Sequence, residues 1–409
     1  MFDERWLNLL MIAGLIGALT RSPALIGMVM LSGTLVLISH LLRRVALRGV
    51  GYRRRFNETR LFLGETLTIS CTANNHGRLP LISLYIYDGA PRGFCKTTDD
   101  DTIAFRAGGR LSFSHLMALL PGEQASRRVT LQPARRGYYV FGDVEMRAAD
   151  LLGMFEVDGI AELHDTLIVY PRIFPLEELG IPTREPYGAL QAMRGLIDDP
   201  VRIIGARDYE YGDSFRKIHW KATAHRGSLQ TRVLEYTSDP TVILFLNVTT
   251  FHEAWRGTDV ERFETAVSVT ASIATWANNA GAVIGLLANG NMPDAPRGVR
   301  LRPIRSPDQL MNTLESLAVI GPYTMFSFEQ FILDEQYGMP LGATQVIVTP
   351  LLTPEIEIAL RQLHERGKRI VLICVDRTAP GLNELPFQAY HVPPSPAMRV
   401  TDEPGEEGE

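Results

Sequence analysis

Two long apolar runs open the chain. Residues 6–20 carry no charge, and residues 23–42 stay apolar over about 20 positions, the length that crosses a hydrocarbon core of about 30 Å. Arg21, Ser22 and Pro23 break the pattern between them, so the pair reads as a helical hairpin: two transmembrane helices within residues 1–46. Trp6 suits a membrane interface, where aromatic rings are favoured. A signal peptide is the competing reading. Against it stand the second run, which follows at once, and the Asp3-Glu4-Arg5 start, which is not strongly basic. Arg43, Arg44, Arg48, Arg53, Arg54 and Arg55 follow the second run, against Arg21 alone in the turn. This positive-inside bias predicts a multi-pass protein of the inner (cytoplasmic) membrane with its large domains facing the cytoplasm. The plainer alternative makes the cluster a solvated start of the first domain.

Residues 57–172 read as strands. Positions 67–73, 81–87 and 128–131 alternate, residues 74–77 supply a turn, and 138–142 ends on Gly142. Short strands at this spacing predict an antiparallel β-sandwich of immunoglobulin-like type. Gly137 and Gly153 serve tight turns, and Asp150 can bond local amides. Residues 173–230 form a linker, with Pro175, Gly180, Pro182, Pro186 and Gly188, that leads into a dense polar segment. From residue 231 strands and helices alternate. The run 241–248 is continuously apolar, as a strand buried on both faces should be. Helices are expected at 261–278, 307–318, 327–336 and 354–366, and strands at 282–288, 345–349 and 369–375. This alternation predicts an α/β doubly wound domain over 231–380. The Pro- and Glu-rich tail, 393–409, reads as disordered.

The segment 205–229 has neither helical nor strand periodicity. It sets Arg207, Asp208, Asp213, Arg216, Lys217, His219, Lys221 and Arg226 beside Tyr209, Tyr211, Phe215 and Trp220. Such density suggests a shaped polar network or a recognition surface; a solvated linker with a short helix at 214–224 is the plain alternative. Basic and aromatic residues together also suit nucleic acid, but Asp208, Glu210 and Asp213 oppose phosphates. An intramolecular role is more natural. Arg207 and Arg226 can pair with Asp208, Asp213 or Glu235, while Trp220 and Ile218 anchor the segment.

The pattern Arg207-x-Tyr209-x-x-Gly212-Asp213, then Ile218-x-Trp220-Lys221-Ala222-x-Ala224 and Leu229, resembles the signature of the domain of unknown function 58 family. The resemblance runs from about residue 56 to 376. It implies two N-terminal membrane spans, a β-rich region and a von Willebrand factor A-like domain, with a MoxR-type AAA+ ATPase as partner. It also implies that Arg207, Tyr209, Gly212, Asp213, Trp220, Lys221 and Arg226 carry the interaction. One departure is visible: His225 stands where the family usually has Arg, and Arg226 follows.

Von Willebrand domains often hold magnesium or manganese through an Asp-x-Ser-x-Ser loop after the first strand. The matching loop here has Asn247, Thr249 and Phe251, and the strand ending at Thr349 offers no Asp. A hard cation gains little from neutral oxygens, so the motif reads as degenerate and no metal or other cofactor is expected. Asp239 and Asp259 are the remaining carboxylates through which magnesium would have to bind.

Composition narrows the classes further. The 409 residues leave room for two or three domains, and 45% apolar residues promise real cores. A net charge of −5 gives no push toward nucleic acid. Cys71, Cys95 and Cys374 show no CxxC spacing and read as free thiols, a Cys71–Cys95 bridge being the alternative. Walker A, Gly-x-Ser-x-Gly and HExxH motifs are missing from the sequence. Asp213, Ser214 and His219 could tempt a triad reading, but nothing in the sequence shows that they face one another. The chain therefore reads as a membrane-anchored, non-enzymatic interaction and assembly protein. The alternatives are an enzyme acting on cell-envelope or nucleotide substrates through 205–229, and a metal-dependent adhesion module.

Overall fold

The computed structural model describes residues 11–13, 15, 16, 19–21, 23–43, 46–96, 103–107, 110–149, 156–181, 203–210, 218–234, 240–292, 298–324, 326–340, 342–378 and 381–394. The second N-terminal apolar run forms helix α1 (Pro23–Arg43). Its apolar positions fall in short stretches, 24–26, 28–31 and 35–38, divided by Gly27 and by Ser32, Gly33 and Thr34. Ser32 and Thr34 turn their hydroxyls back onto the carbonyls of Met28 and Met30. Among the described residues no helix is long and apolar enough to cross a membrane. The two transmembrane helices expected over 1–46 are corrected accordingly. So are the multi-pass inner-membrane placement, the cytoplasm-facing orientation and the membrane as an integral partner. Much of the first run lies outside the described residues.

The chain divides into two compact units between Tyr170 and Pro171. Three sheets build the first. One orders β1 (Val50–Phe56), β3 (Leu67–Asn75), β8 (Gln124–Pro133) and β5 (Phe94–Lys96). The second orders β11 (Glu156–Ala161), β10 (Val144–Ala149), β4 (Leu81–Ala90), β7 (Arg110–Leu119) and β6 (Ile103–Ala107). The third orders β2 (Arg60–Phe62), β12 (Asp165–Tyr170) and β9 (Gly137–Phe141). Alternation along β3 turns Leu67, Ile69, Cys71 and Ala73 inward. Residues from all three sheets, Ile69, Phe113, Leu131, Phe141 and Leu167 among them, share one core.

An antiparallel sandwich of two sheets is thus also corrected. β2 runs parallel to β12, because the backbone at 59–63 finds its partners on Ile168 and Tyr170. Arg54, counted from sequence in the basic cluster, is a core residue. Its Nη1 lies 2.6 Å from Asp88, its Nε 2.9 Å from Asp165, and Nη2 donates to the carbonyls of Phe141 and Gly142. Tyr52 donates its hydroxyl to the other Asp88 oxygen at 2.9 Å.

The second unit, from Pro171, contains the two-stranded pair β13 (Ile203–Asp208) and β14 (Gln230–Leu234), with helix α2 (Trp220–Arg226) between them in sequence. A six-stranded sheet follows. Its order is β17 (Val299–Leu301), β16 (Val283–Ala288), β15 (Thr241–Leu246), β18 (Thr344–Thr349), β19 (Arg369–Cys374), β20 (Gln388–His391). Every neighbouring pair is parallel except β17 with β16. Among the described residues the sheet is accompanied by four α-helices: α3 (Val260–Asn279), α4 (Gln309–Val319), α5 (Phe328–Asp334) and α6 (Pro354–Glu365).

Both faces of this sheet are covered. Ile243, Phe245, Ile347 and Leu372 share a core with Phe331 of α5 and Leu360 of α6. The alternate residues Val242, Leu244 and Leu246 are buried on the opposite face, where α3 packs on β15 and β16 and against α4. Sequence chemistry sets the helix starts: Asp259 caps α3, and Thr353 caps α6 just before Pro354. The chain runs from β15 outward to β16 and β17, then returns to the other side of β15 for β18. That reversal leaves a crevice at the carboxyl ends of β15 and β18, the place where open α/β sheets hold ligands.

Candidate functional site

The dense polar segment is pinned at its base by one residue. Gln230, fully buried, donates from Nε2 to Asp208 and to Ser228 Oγ (3.1 Å), and its Oε1 accepts from Arg226 at 3.4 Å. Its backbone N–H bonds Thr223 Oγ1 and its carbonyl accepts from the His219 N–H. Buried amides must find partners, and this one gathers both strands and α2 around it. His219 caps α2 by accepting the Ala222 N–H on Nδ1 at 3.1 Å. Gly227, at φ +72, ends the helix in the left-handed conformation that glycine adopts without strain.

Around this base the sequence-predicted residues separate. Ile218 is buried and bridges Thr231. Trp220 is 65% exposed, so it does not anchor the segment as its apolar character suggested. Arg207 lies 3.6 Å from Glu210 and donates to the Asp208 carbonyl. Tyr209 donates its backbone N–H to the Leu229 carbonyl, continuing the strand pairing. Lys221 is exposed on the first turn of α2. Gly212 and Asp213, with Tyr211 and residues 214–217, lie outside the described residues. His219 is committed to its cap rather than to a reacting group.

The second candidate is the crevice at the sheet's carboxyl edge. Asn247, 1% exposed, follows β15 and donates Nδ2–H to Thr349 Oγ1 at 3.0 Å. Its Oδ1 accepts from the Thr249 N–H and from Asn289 Nδ2, both at 3.0 Å. Asn289 in turn accepts the Val248 N–H at 2.9 Å. The floor is therefore a closed set of neutral amides and a hydroxyl. Phe251 is turned to another use, under the Arg256 guanidinium at 4.9 Å. Asp259 caps α3 and faces Arg262, and residue 239 lies outside the described residues.

This donor set does not suit a hard divalent cation, which favours anionic oxygens. Among the described residues no three His, Cys, Asp or Glu side chains gather to hold a metal. Above the floor opens a cleft of about 380 Å³, lined by Thr249, His252, Phe326, Ser327, Glu329 and Glu355 among others. The Glu355 carboxyl is held below its ordinary value by its own backbone N–H and the Thr353 hydroxyl. Sequence reading passed over Gln230, Asn289 and these glutamates. Gln230 stands one residue beyond the motif's last position, and the other residues come together only through the strand order.

The chain is 28% identical over 344 residues to the uncharacterized protein YeaD of Bacillus subtilis (strain 168), spanning 83% of this chain and 79% of that one. Solved structures give weaker likenesses. A cohesin module from a Clostridium perfringens family 33 glycoside hydrolase is 10% identical, covering 29% of this chain and 96% of the module, at a TM-score of 0.24. The chitin-binding domain of Chi18aC from Streptomyces coelicolor is 18% identical, covering 21% of this chain and 81% of the domain, at a TM-score of 0.18. Scores this low carry no argument about fold or activity. The family model described as "Protein of unknown function DUF58" matches residues 205–389, and both candidate sites lie within the matched stretch.

Proposed function

We propose that this chain is a non-enzymatic interaction and assembly protein. It presents a von Willebrand factor A-like domain to a protein partner, a MoxR-type AAA+ ATPase. The observation that carries the reading is how the signature is arranged. Among the described residues, Asp208, Thr223, Arg226 and Ser228 bond to buried Gln230, while Trp220 is left 65% exposed beside Lys221. A reacting site needs groups converging with room for substrate beside them. A docking element needs a rigid base and an exposed aromatic anchor, the residue type that dominates interface energetics.

The von Willebrand-like assignment draws support from the sheet. Counting from β15 in chain order, its strands stand 3-2-1-4-5-6, with helices on both faces. In this reading Arg207, Tyr209, Gly212, Asp213, Trp220, Lys221 and Arg226 shape the docking element. The test is binding of a purified MoxR-type ATPase to the wild-type chain and to the Trp220→Ala and Lys221→Ala variants. Binding by the wild type, lost in variants of unchanged melting temperature, supports the reading. No binding by the wild type removes the ATPase as partner, and equal binding by the variants removes the signature as the docking element.

A further inference from the structure

A second cleft opens at the amino ends of β18, β19 and β20, the opposite edge of the sheet from the neutral switch point. It encloses about 450 Å³, and Lys368 and Arg369 line it where the chain passes from α6 into β19. No carboxylate takes part in the lining. Ile370 and Val371, 5% and 7% exposed, supply an apolar wall. Beside them stands the ring of Phe387, 5.8 Å from the ring of His364. Glu365, the one acid in residues 361–369, is exposed and lies outside the lining.

The state of the two cations sets this cleft apart. Several other arginines of the same unit are paired: Arg361 of α6 lies 2.7 Å from Glu357, Arg262 2.8 Å from Asp376, and Arg207 3.6 Å from Glu210. Lys368 and Arg369 are half-buried, yet among the described residues neither side chain meets a carboxylate or another acceptor. A half-buried cation gives up hydration, and that loss is offset only where an anion or acceptor replaces the water. The end of α6 does not supply one. Its carbonyls at Gln362, Leu363 and His364 already accept the backbone N–H groups of Arg366, Lys368 and Gly367.

We propose that this cleft binds a small-molecule phosphate monoester carrying an aromatic ring, with the phosphate held by Lys368 and Arg369. The phosphate oxygens accept from the ammonium as a point charge and from the guanidinium as a fork. At neutral pH such a group carries a charge of about −1.5 to −2, which matches two cations where a carboxylate matches one. The ring of the ligand packs on Phe387 and on the wall of Ile370 and Val371, where aromatic contact adds to area removed from water. Small-molecule sites enclose about 300–1,000 Å³ and combine such apolar walls with a few polar groups. The site is separate from the docking element at α2 and stands or falls without it.

The experiment titrates the full isotope-labelled chain with phenyl phosphate, inorganic phosphate, phenol and benzoate, read by calorimetry and by amide shifts. Phenol keeps the ring without the charge, and benzoate exchanges the phosphate for a carboxylate. The expected result is saturable binding of phenyl phosphate with shifts at the amides of residues 364 and 367–371. It should be at least about tenfold tighter than binding of the other three probes. Lys368→Met and Arg369→Gln should each weaken it about tenfold at unchanged melting temperature, and Arg369→Lys by less. Where a variant melts early, the shifts in the wild type alone decide where the probe binds. Inorganic phosphate, phenol or benzoate binding as tightly as phenyl phosphate overturns the proposal. So do the absence of saturable binding, shifts confined to other residues, and undiminished binding by both variants.

Discussion

Asn247 and Thr349 join the ends of β15 and β18 through an amide-to-hydroxyl hydrogen bond of 3.0 Å, closing the switch point with neutral groups. Asn247→Asp removes that donor and places a carboxylate where only 1% of the residue is exposed. Burial raises the folded-state pKa of such an aspartate above its unfolded value. The penalty is therefore small below the unfolded pKa and grows as pH rises through it. The expected loss is about 2–4 kcal/mol near neutral pH and clearly less near pH of about 4. Urea unfolding at the two pH values reads the difference, and an equal loss at both contradicts the account.

The Arg54–Asp88 pair in the first unit is fully buried, with Tyr52 completing it. Breaking one partner leaves an uncompensated charge, so Arg54→Met should cost about 3–5 kcal/mol. Burial already holds the Asp88 carboxyl above its ordinary value, with Arg54 acting against that shift. Without Arg54 the carboxyl rises further, so the variant should lose stability as pH climbs out of the acid range. Adding Asp88→Leu should restore most of the loss, and a double variant as weak as the single one would count against this account.

Gln230 and Trp220 should behave oppositely. Gln230→Leu removes the bonds to Asp208, Ser228 and Arg226 and should open residues 205–229 to limited proteolysis. Trp220→Ala, at an exposed position, should leave the proteolysis pattern unchanged and shift stability by no more than about 0.5 kcal/mol. Faster cleavage in the tryptophan variant would make it a structural lock.

The three thiols should react in order. Burial pushes Cys71 and Cys374 up to about 12, so near pH 8 only about one molecule in ten thousand carries either thiolate. Cys95 is half-buried and should be labelled first in the native protein, with the other two following only on unfolding. Early labelling of Cys374 would show that β19 opens locally.

Long, uniform patterns were legible in the sequence, and contacts between distant strands were not. The apolar run at 241–248 contains β15, and the alternation at 67–73 belongs to β3, because burial dictates residue type along a whole element. Gly367, at φ +79, turns the chain from α6 into β19, between the helix and the strand expected at 354–366 and 369–375. The parallel β2–β12 contact was invisible, since it pairs the short run Arg60–Phe62 with Ile168–Tyr170, far away in sequence. Arg54 misled for a related reason: five other arginines surround it in sequence, yet its partners are Asp88 and Asp165. The apolar run 23–42 showed its length but understated its breaks at Gly27 and at Ser32–Thr34. Asn247 and Thr349 were each noticed, but their bond, and the part Asn289 plays, exist only once β15, β16 and β18 lie side by side.

The six-stranded sheet ends in β17 on one side and β20 on the other, only three and four residues long. An outer strand exposes unpaired amides and carbonyls on which a second chain can add a strand of its own. Here that template is too short, on either side, to hold more than a few ladder bonds. Among the described residues, lateral growth of the sheet therefore has little backbone to build on at either flank.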